Sequence, residues 1–181
     1  ITVESNIKEI NGQTDSFQCV PASKGNHGPV VVENQTHFAY SDGTPYLPFG
    51  TTAYAWTLQD DSVQQQTLKT LKENKFNKVR MTVFPKYFNY NTTEPKQYPY
   101  EGKPKHVTGT FQKSSWMVDP EDSGFNFGRF NPEYFDHLEN SIDQLDKLGI
   151  EADLILFHPY DSWGFARMGK EYDTLYMQYI I

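Results

Sequence analysis

The sequence, 181 residues long, has a single cysteine, no long apolar run and no basic cluster. With only Cys19, neither an intramolecular disulfide nor a cysteine-rich metal cluster can form, and the residue is expected to be a small buried hydrophobe. No stretch approaches the roughly eighteen apolar residues of a bilayer-spanning helix, so no membrane partner is expected. Lys and Arg number 16 against 23 Asp and Glu, giving a net charge of −7. Affinity for nucleic acid rests on clustered cations that release counterions, so no nucleic-acid partner is expected.

Other absences narrow the chemistry. His27, His37, His106, His137 and His158 lack the i, i+4 spacing that gathers ligands on one metal, and His137 is expected on the exposed side of its helix. No metal and no other cofactor is expected. No GxSxG occurs, and no GxGxxG or GxxxxGK[ST] follows a strand, which removes a serine nucleophile elbow and a phosphate cradle. The opening ITVESNIKEI has no basic segment and no apolar core of a signal peptide. That suits a cytoplasmic protein, a mature secreted one or a piece of a longer chain, and leaves localisation open.

What the sequence does have is aromatic surface. Aromatic residues form 15% of the chain, enough for a core and, in Tyr and Trp, for flat amphipathic contacts with a polar ligand. Residues 1–32 read as short strands and turns, ending in a Pro/Gly/Asn-rich loop at 21–29 and the run Val30, Val31, Val32. Short aromatic runs at 37–40 and 46–49 flank Asp42-Gly43 and predict a hairpin. Residues 49–53 and 78–84 predict buried strands, the second stopped by Pro85. Between them, Asp61 and Ser62 cap a helix over 63–74. Residues 85–130 show no clear period.

The next helix is the most strongly marked. Asn131 is its N-cap and Pro132 its first residue, Phe135, Leu138, Ile142 and Leu145 follow at helical spacing, and Gly149 ends it. A third strand over 150–157 and a helix over 173–181 complete the pattern. Alternation of this kind implies parallel strands with right-handed crossovers, and long, unequal strand-to-helix loops are those of a (β/α)8 barrel. The expected fold class is α/β: a partial (β/α)8 (TIM) barrel comprising its first three strand–helix units.

In such a barrel the strand C-termini share one face. They would deliver Tyr54 and Trp56 after the first strand, Arg80 from the second, and His158, Tyr160, Asp161 and Trp163 after the third. Tyr and Trp stack on the apolar face of a pyranose while His, Asp and Arg bond its hydroxyls, so a carbohydrate is the expected partner. Structural alternatives stay open. Arg80 could pair with a carboxylate within the sheet, His158 could be satisfied in the core, Asp161 could cap the turn before Trp163, and Trp56 and Trp163 could simply pack.

Four segments carry a resemblance: PASKGNHGPV (21–30), FAYSDGTPYLPFGTTAYAWTLQ (38–59), FNKVRMTVFPKY (76–87) and FNPEYFDHLENSIDQLDKLGIEADLILFHPYDSWGF (130–165). They resemble the apiosidase-like glycoside hydrolases, often labelled endoglucanases, within the clan that includes cellulases and β-mannanases. The resemblance implies that residues 1–32 are the C-terminal strands of an N-terminal β-sandwich domain plus a linker, and that 33–181 are the N-terminal portion of the barrel. It also implies cleavage by two carboxylates, usually with retention, at the ends of the fourth and seventh strands. With three strands read, no catalytic residue is assigned. Asp161 and Glu171 are the acids nearest the predicted cleft, and neither matches those positions.

The expected function is thus part of a glycoside hydrolase acting on a plant or microbial polysaccharide or oligosaccharide, supplying sugar-binding subsites and inactive alone. The alternative is a non-catalytic carbohydrate-binding or self-associating half-barrel, a homo-oligomer that covers its open strand edges.

Overall fold

The computed structural model describes residues 2–6, 8, 11–22, 24–88, 90–105, 118–159 and 161–181. The chain divides into two compact units, Ile1–Leu47 and Pro48–Ile181. The first holds an antiparallel hairpin of β1 (Val30–Glu33) and β2 (His37–Tyr40), with Val30 opposite Tyr40 and Glu33 opposite His37. The β1–β2 ladder runs across residue 32. The hairpin predicted about Asp42-Gly43 is reduced to one bridge, Ala39 to Pro45, since Pro45 has no N–H to extend a ladder. The turn is nonetheless tied. The Thr44 N–H and then His27 Nδ1, 2.7 Å away, hold the Asp42 carboxyl down to about 2. Cys19 is exposed rather than buried, because residues 15–22 form no regular element and lie in water along their length.

The second unit begins with β3 (Gly50–Thr52), a tight 3-10 turn (Trp56–Leu58) and α1 (Asp61–Glu73). Its N-cap is Asp60, one residue before the predicted pair, and the Asp60 carbonyl accepts from Val63 and Gln64. Next, β4 (Lys78–Thr82) leads into an excursion that the sequence pattern missed: β5 (Tyr100–Gly102), the short α2 (Pro120–Ser123) and β6 (Phe125–Phe130). β5 and β6 pair antiparallel with a register shift between Tyr100 and Glu101. The chain then runs through α3 (Pro132–Asp146), β7 (Glu151–Ile155) and α4 (Lys170–Ile180).

Strands β3, β4 and β7 form a parallel sheet in that order, with Thr52 beside Arg80 and Arg80 beside Asp153. Side chains alternate between its faces. Val79 and Met81 are fully buried, in one cluster with Leu68 and Leu71 of α1 and Phe135, Leu138 and Leu145 of α3. Lys78 and Arg80 lie on the other face, each opposite an acid in register: Lys78 is 3.9 Å from Glu151, and Arg80 is 2.9 Å from Asp153. The unit is therefore a mixed α/β structure with an apolar face under its helices and a charged face opposite.

Candidate functional site

Parallel strands release their loops at one edge, and here backbone bonds stitch the exits together. The Ala53 N–H donates to Arg80 O at 3.0 Å, and the Val83 N–H donates to Ile155 O at 3.1 Å. Thr82, 1% exposed, donates both its N–H and its hydroxyl to Tyr54 O, each at 2.9 Å. This fixes the start of each loop before any side chain is placed.

Three side chains gather above these exits. Lys86 Nζ lies 3.9 Å from the centroid of the Tyr54 ring and 5.8 Å from that of Phe88. Burial lowers its pKa, while the ring faces supply the electron density that an ammonium prefers to bare hydrocarbon. His158 Nε2 lies 3.3 Å from Phe84 O. Burial, the largest effect, lowers the pKa of its imidazole, against the pull of the Phe84 carbonyl and Asp161, and Lys86 lowers it further. Lys86 and Tyr54 thus stand together, and His158, on the next strand exit, lies near enough to feel the Lys86 charge. Beside them a groove of about 610 Å³ is lined by Thr52, Tyr54, Lys86 and Phe88 among others. A larger hollow of about 750 Å³ lies against α4, where Phe157, Met177 and Ile181 give it an apolar wall.

The remaining sequence-derived candidates are placed differently. Asp161 is 3% exposed. Its Oδ1 accepts the N–H groups of Trp163, Gly164 and Phe165 at 2.7, 2.6 and 3.1 Å, and its Oδ2 accepts that of Ala166 at 2.6 Å. The carboxylate therefore folds the loop around itself. Trp163 is 1% exposed and donates its indole N–H to Glu94 Oε1 at 3.1 Å, and Tyr98 OH donates to the same oxygen. Trp56, 4% exposed, directs its indole N–H at Met81 Sδ, 3.3 Å away. The Trp163 indole is core, whereas Trp56, though buried, also lines the groove beside Tyr54. Arg80 meets Asp153 on the charged sheet face, two residues before the end of β4. Tyr160 lies outside the described residues.

His137 is half-buried rather than exposed, since its Nε2 reaches Thr57 O at 2.7 Å. Among the described residues no three His, Cys, Asp or Glu side chains converge as a metal would require. Sequence reasoning overlooked Lys86 and Glu94. Lys86 was within reach, since it follows Pro85 at a strand exit. Glu94 sits in a stretch without periodicity and had no local signal.

Comparison with known proteins adds to this geometry. The family described as "Apiosidase-like, catalytic domain" matches residues 32–181. A solved structure from Bacteroides vulgatus ATCC 8482, assigned as a glycoside hydrolase, is 46% identical with a TM-score of 0.78, and the match covers 97% of this chain and 33% of that one. The chain therefore spans about a third of that protein's length. A glycoside hydrolase family 5 structure from the same organism is 16% identical with a TM-score of 0.44, covering 73% of this chain and 25% of its own. No curated protein sequence matches.

Proposed function

This chain belongs to the apiosidase-like catalytic-domain family, as its four segments implied, and from that premise we propose that it supplies sugar-binding subsites of a glycoside hydrolase acting on a plant or microbial polysaccharide or oligosaccharide. In this reading residues 33–181 are the N-terminal portion of a (β/α)8 barrel. The supporting observation is the Lys86 ammonium over the Tyr54 ring, with His158 bonded to the Phe84 carbonyl, all on loops that leave three neighbouring parallel strands. An uncharged imidazole both donates and accepts, an ammonium donates, and the aromatic rings lining the groove offer an apolar face, the set that a pyranose needs. Asp161 builds the loop that carries Trp163, and Arg80 sets the charged face of the sheet.

Hydrolysis needs two carboxylates about 5 to 10 Å apart, flanking the scissile bond. Asp161 already accepts four backbone N–H groups, and Glu94 accepts an indole and a phenol. Both carboxylates are taken up in holding the fold, which supports the reading that the chain alone is inactive. Calorimetric titration of the purified chain with neutral oligosaccharides should show binding. Lys86→Ala and His158→Ala should each weaken it about tenfold, or roughly 1.4 kcal/mol. Aryl glycosides should not be turned over. Turnover would reject the claim of inactivity, and absence of binding to every saccharide tried would reject the subsite claim.

A further inference from the structure

The groove beside Tyr54 is also lined by a ring that nothing buries. Tyr90 is 94% exposed although it forms part of the wall of this hollow, and its ring lies 6.0 Å from that of Phe88, centroid to centroid. The rings are linked by successive contacts. Tyr54 is followed by the Lys86 ammonium, then Phe88, then Tyr90. A sugar carbon stacks on a ring at a separation of about 3.5–4 Å. Lys86 Nζ, 3.9 Å from the Tyr54 centroid, already fills that position on the face it covers. The far end of this series is where a ring face meets water.

The polar groups of the groove are tied to one another in a way that leaves one acceptor facing the hollow. Gln59 donates from Nε2 to Ala55 O at 3.1 Å and to Asn91 Oδ1 at 3.0 Å, which uses both amide hydrogens and fixes which way the side chain points. Among the described residues nothing donates to its Oε1, and Gln59 lines the groove. Asn91 in turn donates from Nδ2 to Lys86 O at 2.7 Å, so the loop bearing Lys86 and the Gln59 amide move as one piece. A locked acceptor, an ammonium and an open aromatic face match the hydroxyls and the C–H face of a pyranose, and the volume of about 610 Å³ holds more than one ring.

We propose that Tyr90, rather than Tyr54, is the stacking platform of this groove, with Gln59 Oε1 and Lys86 meeting the hydroxyls of a neutral pyranoside unit. The inference rests on the reading of the chain as a source of sugar subsites, and its test separates the two. The 181-residue chain is titrated calorimetrically with neutral tetrasaccharides of gluco, manno and galacto configuration. With the tetrasaccharide that binds best, Tyr90→Ala should lose at least tenfold in affinity, Tyr90→Trp should stay within threefold of the parent, and Gln59→Leu should lose several-fold. Tyr54→Leu should lose less than Tyr90→Ala. Because Tyr90 is in water, its replacement should leave the thermal midpoint unchanged. Full affinity in Tyr90→Ala together with loss in His158→Ala would overturn the platform and leave the subsite reading standing. No binding of any tetrasaccharide by the parent chain would overturn both.

Discussion

At the scale of single residues, Asp161 shows how one carboxylate decides a loop. Four N–H groups from residues 163–166 converge on it in a setting only 3% exposed. Asp161→Ala leaves those donors without an acceptor and should cost on the order of 3 kcal/mol, with Asp161→Asn intermediate because its amide turns donors toward the Ala166 N–H. Urea denaturation would register this as a lowered midpoint at constant slope. His158 gives a pH dependence of definite sign. Burial holds its folded pKa below the ordinary histidine value of 6.5, so as pH falls the unfolded chain takes up a proton before the folded one does. The stability it supports is complete above about 6.5 and is lost as pH falls toward the folded value. An NMR titration should place the imidazole below 6.5, and His158→Gln should flatten the acid limb of stability against pH. The sequence left Asp161 open between ligand and cap. What settles it is the path of the following loop, with Gly164 at φ 91°, and no local pattern encodes that path.

Helix α3 was readable at the scale of elements because its signals are local. Asn131 and Pro132 open it, a stripe of apolar residues faces the sheet, and Gly149 closes it at φ 70°. The Gly149 N–H donates to Asp146 O and the Ile150 N–H to Leu145 O, which satisfies the last carbonyls. A Cβ at Gly149 would meet nothing within 4 Å, so Gly149→Ala carries only the left-handed backbone penalty, about 1 kcal/mol. Leu145→Ala, at a fully buried position, should cost about 2–5 kcal/mol. Thermal unfolding of the two variants should preserve that order. A larger loss in Gly149→Ala would mean that the helix end is held by packing rather than by its backbone turn. The β5–β6 pair was unreadable for the opposite reason. Phe125, Phe127 and Arg129 alternate with Asn126 and Gly128 at strand period, yet the partner lies more than twenty residues earlier and the register slips between Tyr100 and Glu101. Pairing across such a distance is fixed by packing of Tyr100 on Phe127 and Phe130, not by neighbouring sequence.

The alternation that predicted parallel strands belongs to the whole molecule, and it left one consequence to experiment. Among the described residues, both outer strands of the β3-β4-β7 sheet pair on one side only. Sheets of this kind are normally covered on both faces, yet Arg80 is 55% exposed, Asp153 27% and Lys78 32% at the side chain. Pairs this open to water contribute at most about 1 kcal/mol and do not by themselves hold a sheet face. Phe157 and Ile181 stand 42% and 89% exposed, each on the wall of the apolar hollow against α4, near the free edge of β7. Unpaired strand edges beside apolar side chains recruit another chain, and in a solution of this protein alone the available chain is a second copy. Sedimentation equilibrium of the 181-residue chain should therefore show concentration-dependent dimers. Ile181→Lys, which places a charge on the apolar wall without touching Tyr54, Lys86 or His158, should weaken them. A monomer at every loading concentration would mean that the charged face is hydrated well enough to need no cover, and self-association would then have no physical basis in this sheet.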